Sequence, residues 1–144
     1  MTRTILVFML FLAILLSACQ STSISTPAGE VVGKQVTIPG GSYTDISVAE
    51  LQTMLANKDF TFINVHIPFE GDIANTDLSI PYNEIEQNLQ TLPADKDAKI
   101  VLYCRSGRMS SIAAETLVGL GYTNVWNLDG GIIAWEQAEL PLER

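Results

Sequence analysis

The pattern that most constrains the fold is an alternation of short β-rich runs with helices of about ten residues. Three runs are dense in residues that favour strands, at 60–65, 100–103 and 124–128. A capping box formed by Ser47 and Glu50 predicts a helix at 48–56, and helical spacing of apolar residues, with Gly121 at the position after the helix, predicts another at 110–120. Shorter helices are predicted at 83–89 and at 132–138, the last with Trp135 on its buried face. This alternation is typical of an α/β domain with a mainly parallel sheet, in which ligands bind where strand ends meet helix starts.

The N-terminal segment is typical of an export signal. Arg3 is the only charged residue before Glu30, and residues 5–16 form an unbroken apolar run followed by Ser17 and Ala18. As a helix, this run would rise only about 18 Å, less than the roughly 30 Å of a bilayer core. A secretory signal is therefore favoured over an uncleaved membrane anchor.

The segment from Leu16 to Cys19 resembles the lipobox of bacterial lipoproteins. The resemblance implies that residues 1–18 are a lipoprotein signal peptide and that Cys19 carries the lipid. The protein would then be membrane-anchored in the bacterial cell envelope, on the periplasmic side of the outer membrane in a Gram-negative cell. Residues 19–41 are rich in Ser, Thr, Gly and Pro, which predicts a flexible tether and leaves 42–144 as the folded domain.

Charge and composition exclude several classes of function. The chain has 16 acidic and 8 basic residues and a net charge of -8, so no nucleic-acid partner is expected. Its two cysteines cannot build a disulfide scaffold or a four-thiolate zinc site. His66 is the only histidine. A metal or proton-shuttle role for it is conceivable, but a single nitrogen ligand is weak evidence, and a structural or exposed histidine is favoured.

Cys104 is the candidate chemical centre. If Cys19 is lipidated, Cys104 is the only remaining thiol, and it is either buried filler or a reactive group. It lies between a predicted strand and a predicted helix, where Gly107 allows the backbone to curl and its N–H groups to point inward. The start of the helix adds positive potential at the same place, which favours a thiolate.

The charges around this loop differ from those of the rest of the chain. Residues 98–114 contain Lys99, Arg105 and Arg108 and no acidic residue. The two arginines could simply form a solvated face, but both flank the thiol within one short loop. We therefore interpret them as groups that attract an anion.

These residues resemble the rhodanese-like (sulfurtransferase) family. The matching motifs are the strand followed by CRSGRM at 104–109, LDGGI at 128–132 with Trp135 downstream, and Asp45 to Ser47 before the first helix. The resemblance covers about residues 41–142. It implies a rhodanese-like α/β fold with a central, mainly parallel five-stranded sheet flanked by helices.

The resemblance also implies a sulfurtransferase, a thiosulfate sulfurtransferase (rhodanese)-type transferase. Cys104 would take a sulfane sulfur from a small anionic donor, form a persulfide, and pass the sulfur to a thiol, cyanide or a thioredoxin-like acceptor. No metal or organic cofactor is needed, and we expect a monomer that contacts the membrane only through its lipid anchor. The loop that binds substrate and persulfide would comprise Arg105, Ser106, Gly107, Arg108 and Met109.

Other activities fit the loop less well. Cysteine phosphatases space the catalytic cysteine and arginine as Cys-x5-Arg, but Ser110 stands six positions after Cys104. Relatives that use mercaptopyruvate usually have Gly directly after the cysteine, where this chain has Arg105. A non-enzymatic binding module, or a persulfide carrier for one protein partner, remains the alternative.

The first half of the domain departs from the family pattern. Many relatives have Asp-Val-Arg after the second strand, where this chain has Asn64, Val65 and His66. Residues 71–76 read GDIANT, where relatives usually have Gly-His-Ile-Pro-Gly-Ala. The missing Asp and Arg put a structural ion-pair network in doubt.

Overall fold

A computed structural model describes residues 31–144. The predicted signal peptide, the predicted lipidation site Cys19 and the first part of the predicted tether lie outside these residues. Within 31–144, no helix combines the length and the hydropathy that crossing a membrane requires. The described elements are β1 Lys34–Ile38, β2 Gly41–Ile46, α1 Val48–Ala56, β3 Thr61–Asn64, β4 Leu78–Ser79, a 3₁₀ helix Tyr82–Thr91, β5 Ile100–Tyr103, α2 Arg108–Gly119, β6 Val125–Leu128 and α3 Gly131–Gln137.

The predicted α/β fold with a mainly parallel sheet is confirmed. The strands are ordered β1-β2-β6-β5-β3-β4, and every neighbouring pair is parallel except β1 with β2. Three of the five parallel strands, β3, β5 and β6, were predicted by their residues, whereas β2 and β4 were not. The predicted number of five strands is wrong by one, because β1 adds a sixth, antiparallel strand at one edge.

Strand β1 lies inside the segment that was predicted to be a flexible tether. Val36, Thr37 and Ile38 are strand-forming residues, but the Ser, Thr, Gly and Pro around them dominate the composition of 19–41. Pro39 and Gly40 form a tight turn, with Gly40 at φ +92°, and β1 folds back on β2. The tether prediction therefore fails at residues 34–38.

Helices cover both faces of the sheet. On one face, α2 and the 3₁₀ helix bury a core that includes Val65, Leu102, Cys104 and Leu117. On the other face, the core includes residues of α1 and α3, among them Leu51 and Trp135. The predicted burial of Trp135 is confirmed, and the short helix predicted at 83–89 is a 3₁₀ helix.

The start of α1 follows the capping signal in the sequence. Ser47 and Glu50 form the predicted capping box: the Ser47 N–H donates to Glu50 Oε2 at 2.8 Å, and the Glu50 N–H donates to Ser47 Oγ at 3.3 Å. The Gly33 N–H donates to Glu50 Oε1 at 2.9 Å, which links the residues before β1 to α1. Hydrogen bonds from the backbone of Ser47 and of Gly33 hold the pKa of Glu50 below its usual value.

Candidate functional site

The candidate site lies at the edge of the sheet where the parallel strands end. Cys104 directly follows β5, residues 105–107 form a loop, and α2 begins at Arg108. Beside β5, the chain leaving β3 continues the ladder, since the Val65 N–H donates to the Tyr103 carbonyl at 2.8 Å. The structure therefore places the predicted centre at the edge where ligands bind in such sheets.

The thiol of Cys104 has two polar partners. The residue is 1% exposed, and its Sγ accepts a hydrogen bond from the Gly107 N–H at 3.2 Å. The Ser110 hydroxyl, which is fully buried, lies 3.4 Å from Sγ and 3.1 Å from the Gly107 carbonyl. Hydrogen bonds to a sulfur from an amide and a hydroxyl stabilise a negative charge on it.

Gly107 gives the loop its shape. Its φ of +90° belongs to the left-handed region, and the residue is the N-cap of α2. This turn brings the Gly107 amide back over Sγ. Of the predicted loop residues, Arg105 and Ser106 are exposed, while Arg108 and Met109 belong to the first turn of α2, with Met109 partly buried against the core.

The start of α3 supports the loop from behind. The Ile132 N–H donates to the Cys104 carbonyl, and the Ile133 N–H donates to the Arg105 carbonyl, both at 2.9 Å. A Cβ on Gly131, which has φ +54°, would lie 2.1 Å from the Cys104 carbonyl oxygen. Only glycine therefore allows α3 to approach the loop this closely.

The three cations predicted near the thiol separate in the structure. Lys99 stands before β5, at the opposite end of that strand from Cys104, and its Nζ lies 2.8 Å from a carboxylate oxygen of Asp59. Arg108 is exposed and makes no ion pair with any residue in 31–144. Of these three cations, Arg105 and Arg108 remain in the Cys104 loop and the first turn of α2.

Arg105 has an acidic neighbour that the sequence did not reveal. Its Nε lies 3.5 Å from Glu70 Oε2, and the other oxygen of Glu70 lies 3.7 Å from His66 Nε2. The His66 side chain is 7% exposed, and neither ring nitrogen has a hydrogen-bond partner within residues 31–144. The His66 side chain is thus buried, so of the two favoured predictions, a structural or an exposed histidine, the exposed one is wrong.

A hydrogen-bond network around the Asp72 carboxylate takes the place of the ion pairs whose presence was in doubt. The Asn64 side-chain amide donates to the Gly71 carbonyl and to Asp72 Oδ1, each at 2.9 Å. The Tyr103 hydroxyl donates to the same Asp72 oxygen at 3.1 Å and accepts from the Ile73 N–H at 3.0 Å. Burial raises the pKa of Tyr103 well above its usual value, so the phenol remains a donor. This network fixes the segment that carries Glu70 against β3 and β5.

Two further observations concern ligand sites. A cavity of about 480 Å³ at the start of α1 is bordered by Asp45, Ser47 and Asp129, but Cys104 does not line it. Within residues 31–144, no three His, Cys, Asp or Glu side chains are grouped so that they could hold a metal ion.

Comparison with known proteins gives a consistent assignment. Residues 47–138 match the family described as Rhodanese-like domain. A sulfurtransferase of Allochromatium vinosum is 36% identical over 94 residues, which cover 63% of this chain and 85% of the relative. A tRNA uridine(34) hydroxylase of Escherichia coli is 30% identical over 96 residues, which cover 62% of this chain but only 27% of the hydroxylase. A rhodanese-related protein from Thermoplasma volcanium superposes with a TM-score of 0.58 at 33% identity, covering 68% of this chain and 95% of that protein.

Proposed function

Because this chain belongs to the rhodanese-like domain family, we propose that it is a sulfurtransferase that moves sulfane sulfur from an anionic donor to a thiophilic acceptor. Cys104 carries the sulfur as a persulfide, and a thiosulfate-like molecule is the donor. The observation that carries the proposal is the pair of hydrogen bonds on the Cys104 sulfur, from the Gly107 amide and the Ser110 hydroxyl.

The first half-reaction forms the persulfide. The Cys104 thiolate attacks the outer sulfur of thiosulfate, the bond between the two donor sulfurs breaks, and sulfite leaves with the electron pair. The total charge is the same before and after this step. The positive charges of Arg105 and Arg108 attract the dianionic donor and oppose the repulsion between two negatively charged sulfurs.

The second half-reaction returns the enzyme to its starting state. An acceptor nucleophile attacks the outer sulfur of the persulfide, and the Cys104 thiolate is released with the electron pair. With cyanide as acceptor, the product is thiocyanate. The hydrogen bonds that stabilise the thiolate before the first step also stabilise it as the leaving group of the second.

The alternative is a binding module in which the cysteine is only filler. A cysteine that serves as filler is an apolar group and needs no polar partner. Cys104 instead meets a backbone amide at a left-handed glycine and a buried hydroxyl. The hydroxylase activity named for one relative is not carried over, because this chain spans about a quarter of that protein.

The proposed location is the cell envelope. Its support is the lipobox-like segment that ends at Cys19, preceded by the apolar run at 5–16. Acyl chains on Cys19 would hold the domain at the membrane surface. An exported protein of this type would take its sulfur donor and its thiol or thioredoxin-like acceptor from the envelope.

Mass spectrometry tests the proposed activity directly. Incubation of the purified chain with thiosulfate is expected to add about 32 Da, the mass of one sulfur atom, and cyanide is expected to remove it. Cys104→Ser should abolish both the adduct and thiocyanate formation, while Cys19→Ser, which leaves the site intact, should retain them. If no sulfane donor changes the mass of the wild-type chain, the binding module becomes the better description.

A further inference from the structure

The Glu70 carboxylate lies between the side chains of Arg105 and His66 and makes a close hydrogen bond with neither. Its oxygens lie 3.5 Å from Arg105 Nε and 3.7 Å from His66 Nε2. Both distances exceed the range of a charge-assisted hydrogen bond, which is about 2.7–2.9 Å. Glu70 is 38% exposed, so its side chain is not fixed by packing. A small rotation therefore shortens one contact and lengthens the other.

A hydrogen bond from His66 would stabilise the Glu70 carboxylate after it rotates away from Arg105. Both of its ring nitrogens are buried and lack a hydrogen-bond partner within residues 31–144, which is unfavourable for a polar group. The His66 backbone N–H donates to Asn64 Oδ1 at 3.0 Å, which restrains the backbone that carries the ring. Within residues 31–144, the carboxylate that lies within ion-pair distance of a His66 ring nitrogen is that of Glu70. Glu70 is thus the carboxylate that can accept a hydrogen bond from His66.

Binding of an anionic donor to Arg105 requires the Glu70 carboxylate to move away. Arg105 directly follows Cys104 in the loop, and its charge is partly neutralised by Glu70. An anionic sulfur donor needs the same guanidinium. The donor and the Glu70 carboxylate cannot both pair with Arg105 at full strength, because each would repel the other.

We propose that Glu70 competes with the anionic donor for Arg105, and that His66 receives the Glu70 carboxylate when the donor binds. This inference rests on the proposed function, since it concerns the donor of the same site. Glu70 is in this view a specificity-determining residue that weakens the binding of anions. His66 is a positioning residue that acts only through Glu70.

Binding without reaction gives a direct test. In the full chain carrying Cys104→Ser, thiosulfate cannot transfer its sulfur, and its affinity can be measured by NMR titration of the amides of residues 106–109. Glu70→Gln should bind thiosulfate about two- to fivefold more tightly, the range expected for removal of one exposed ionic competitor. The gain should be smaller for benzenethiosulfonate, a donor with one negative charge instead of two.

Variants of His66 separate a positioning role from a merely structural one. His66→Phe should weaken thiosulfate binding about twofold, because Glu70 loses its alternative partner. His66→Gln, which keeps an N–H donor, should restore most of the affinity. In the Glu70→Gln background, His66→Phe should have no further effect, so the two substitutions should be non-additive. Because His66 is the only histidine, its ring signals also report directly whether thiosulfate changes its surroundings.

A matched control is available at another glutamate–arginine pair. Glu136 Oε1 lies 2.7 Å from Arg144, and both side chains are about as exposed as those of Glu70 and Arg105. Glu136→Gln should leave thiosulfate binding unchanged. Equal or weaker binding by Glu70→Gln, or no binding by any variant, would overturn the inference. Failure of the proposed function is seen separately, as the absence of a sulfur adduct on the wild-type chain.

Discussion

The substitution Gly131→Ala tests whether the start of α3 sets the shape of the Cys104 loop. A Cβ at this position would lie 2.1 Å from the Cys104 carbonyl oxygen and 2.8 Å from the Arg105 carbonyl carbon. Real Cβ contacts do not fall below 3.0 Å, so the loop or α3 must move by about 0.9 Å. Both obstructing atoms belong to the backbone and cannot rotate away.

Two costs contribute to the expected loss of stability. The φ of +54° at Gly131 is left-handed, which costs an alanine about 1–2 kcal/mol. The forced movement also breaks or lengthens the hydrogen bonds from Ile132 and Ile133 to the loop carbonyls, and two such bonds contribute about 1–3 kcal/mol. We therefore expect Gly131→Ala to lower the free energy of unfolding by about 2–5 kcal/mol.

The effect on activity should be larger than the loss of stability alone explains. The obstructing carbonyl belongs to Cys104 itself, and if the loop is the part that moves, a displacement near 1 Å at a reacting group can cost about 100-fold in rate. The assays are urea denaturation for stability, and thiocyanate formation from thiosulfate and cyanide for the rate. Both are compared at a temperature where the variant remains folded.

Two other glycines separate the steric cost from the conformational one. Gly121 has φ +88° and nothing within 4 Å of an added Cβ, so Gly121→Ala should cost only the conformational part, about 1–2 kcal/mol. Gly119, at the end of α2, is equally open and has no positive φ, so alanine there should be neutral or stabilising. If Gly131→Ala destabilises no more than Gly121→Ala and keeps the wild-type rate, α3 does not control the loop.

Two further predictions concern the hydroxyl beside the thiol and the proposed anchor. Ser110→Ala removes the hydroxyl 3.4 Å from the Cys104 sulfur and should lower kcat/KM for thiosulfate about 10- to 100-fold. The control Ser111→Ala loses a hydroxyl that is bonded to the Arg108 carbonyl at 2.8 Å, and it should retain near wild-type kinetics. Equal rates in the two variants would contradict a role for Ser110. Cys19→Ala should abolish incorporation of radiolabelled fatty acid and leave the chain unprocessed or free of the membrane, and continued labelling would refute lipidation at Cys19.

Local signals were sufficient for most of the elements. The capping box at Ser47, the β-rich run before Cys104 and Gly121 after α2 each specify a boundary through residues close in sequence. Strand β1 was missed because its pairing with β2 depends on a turn at Gly40 inside a segment of tether-like composition. The start of α2 was placed two residues late, because Gly107, rather than a Ser or Thr side chain, forms its N-cap.

The candidate site was predictable in its centre and not in its surroundings. Cys104 and its loop are contiguous in the chain, so the sequence locates them together. Glu70 and His66 reach the loop from the segment after β3, more than thirty residues earlier, and no periodicity in the sequence signals that contact. Lys99 is the reverse case, since it is close in sequence but lies at the other end of β5, paired with Asp59.

Because the whole chain is acidic, the charges close to Cys104 decide whether an anionic donor is attracted to the site. A net charge of -8 repels an anionic donor, so attraction depends on the field close to the thiol. Arg108 is free of ion pairs within residues 31–144, whereas Arg105 faces Glu70. If Glu70 must leave Arg105 before an anion can pair with it, every anion binds less tightly, and a dianion is weakened more than a monoanion because Glu70 repels it more strongly. Glu70→Gln should therefore make phosphate a stronger inhibitor and should change inhibition by chloride less.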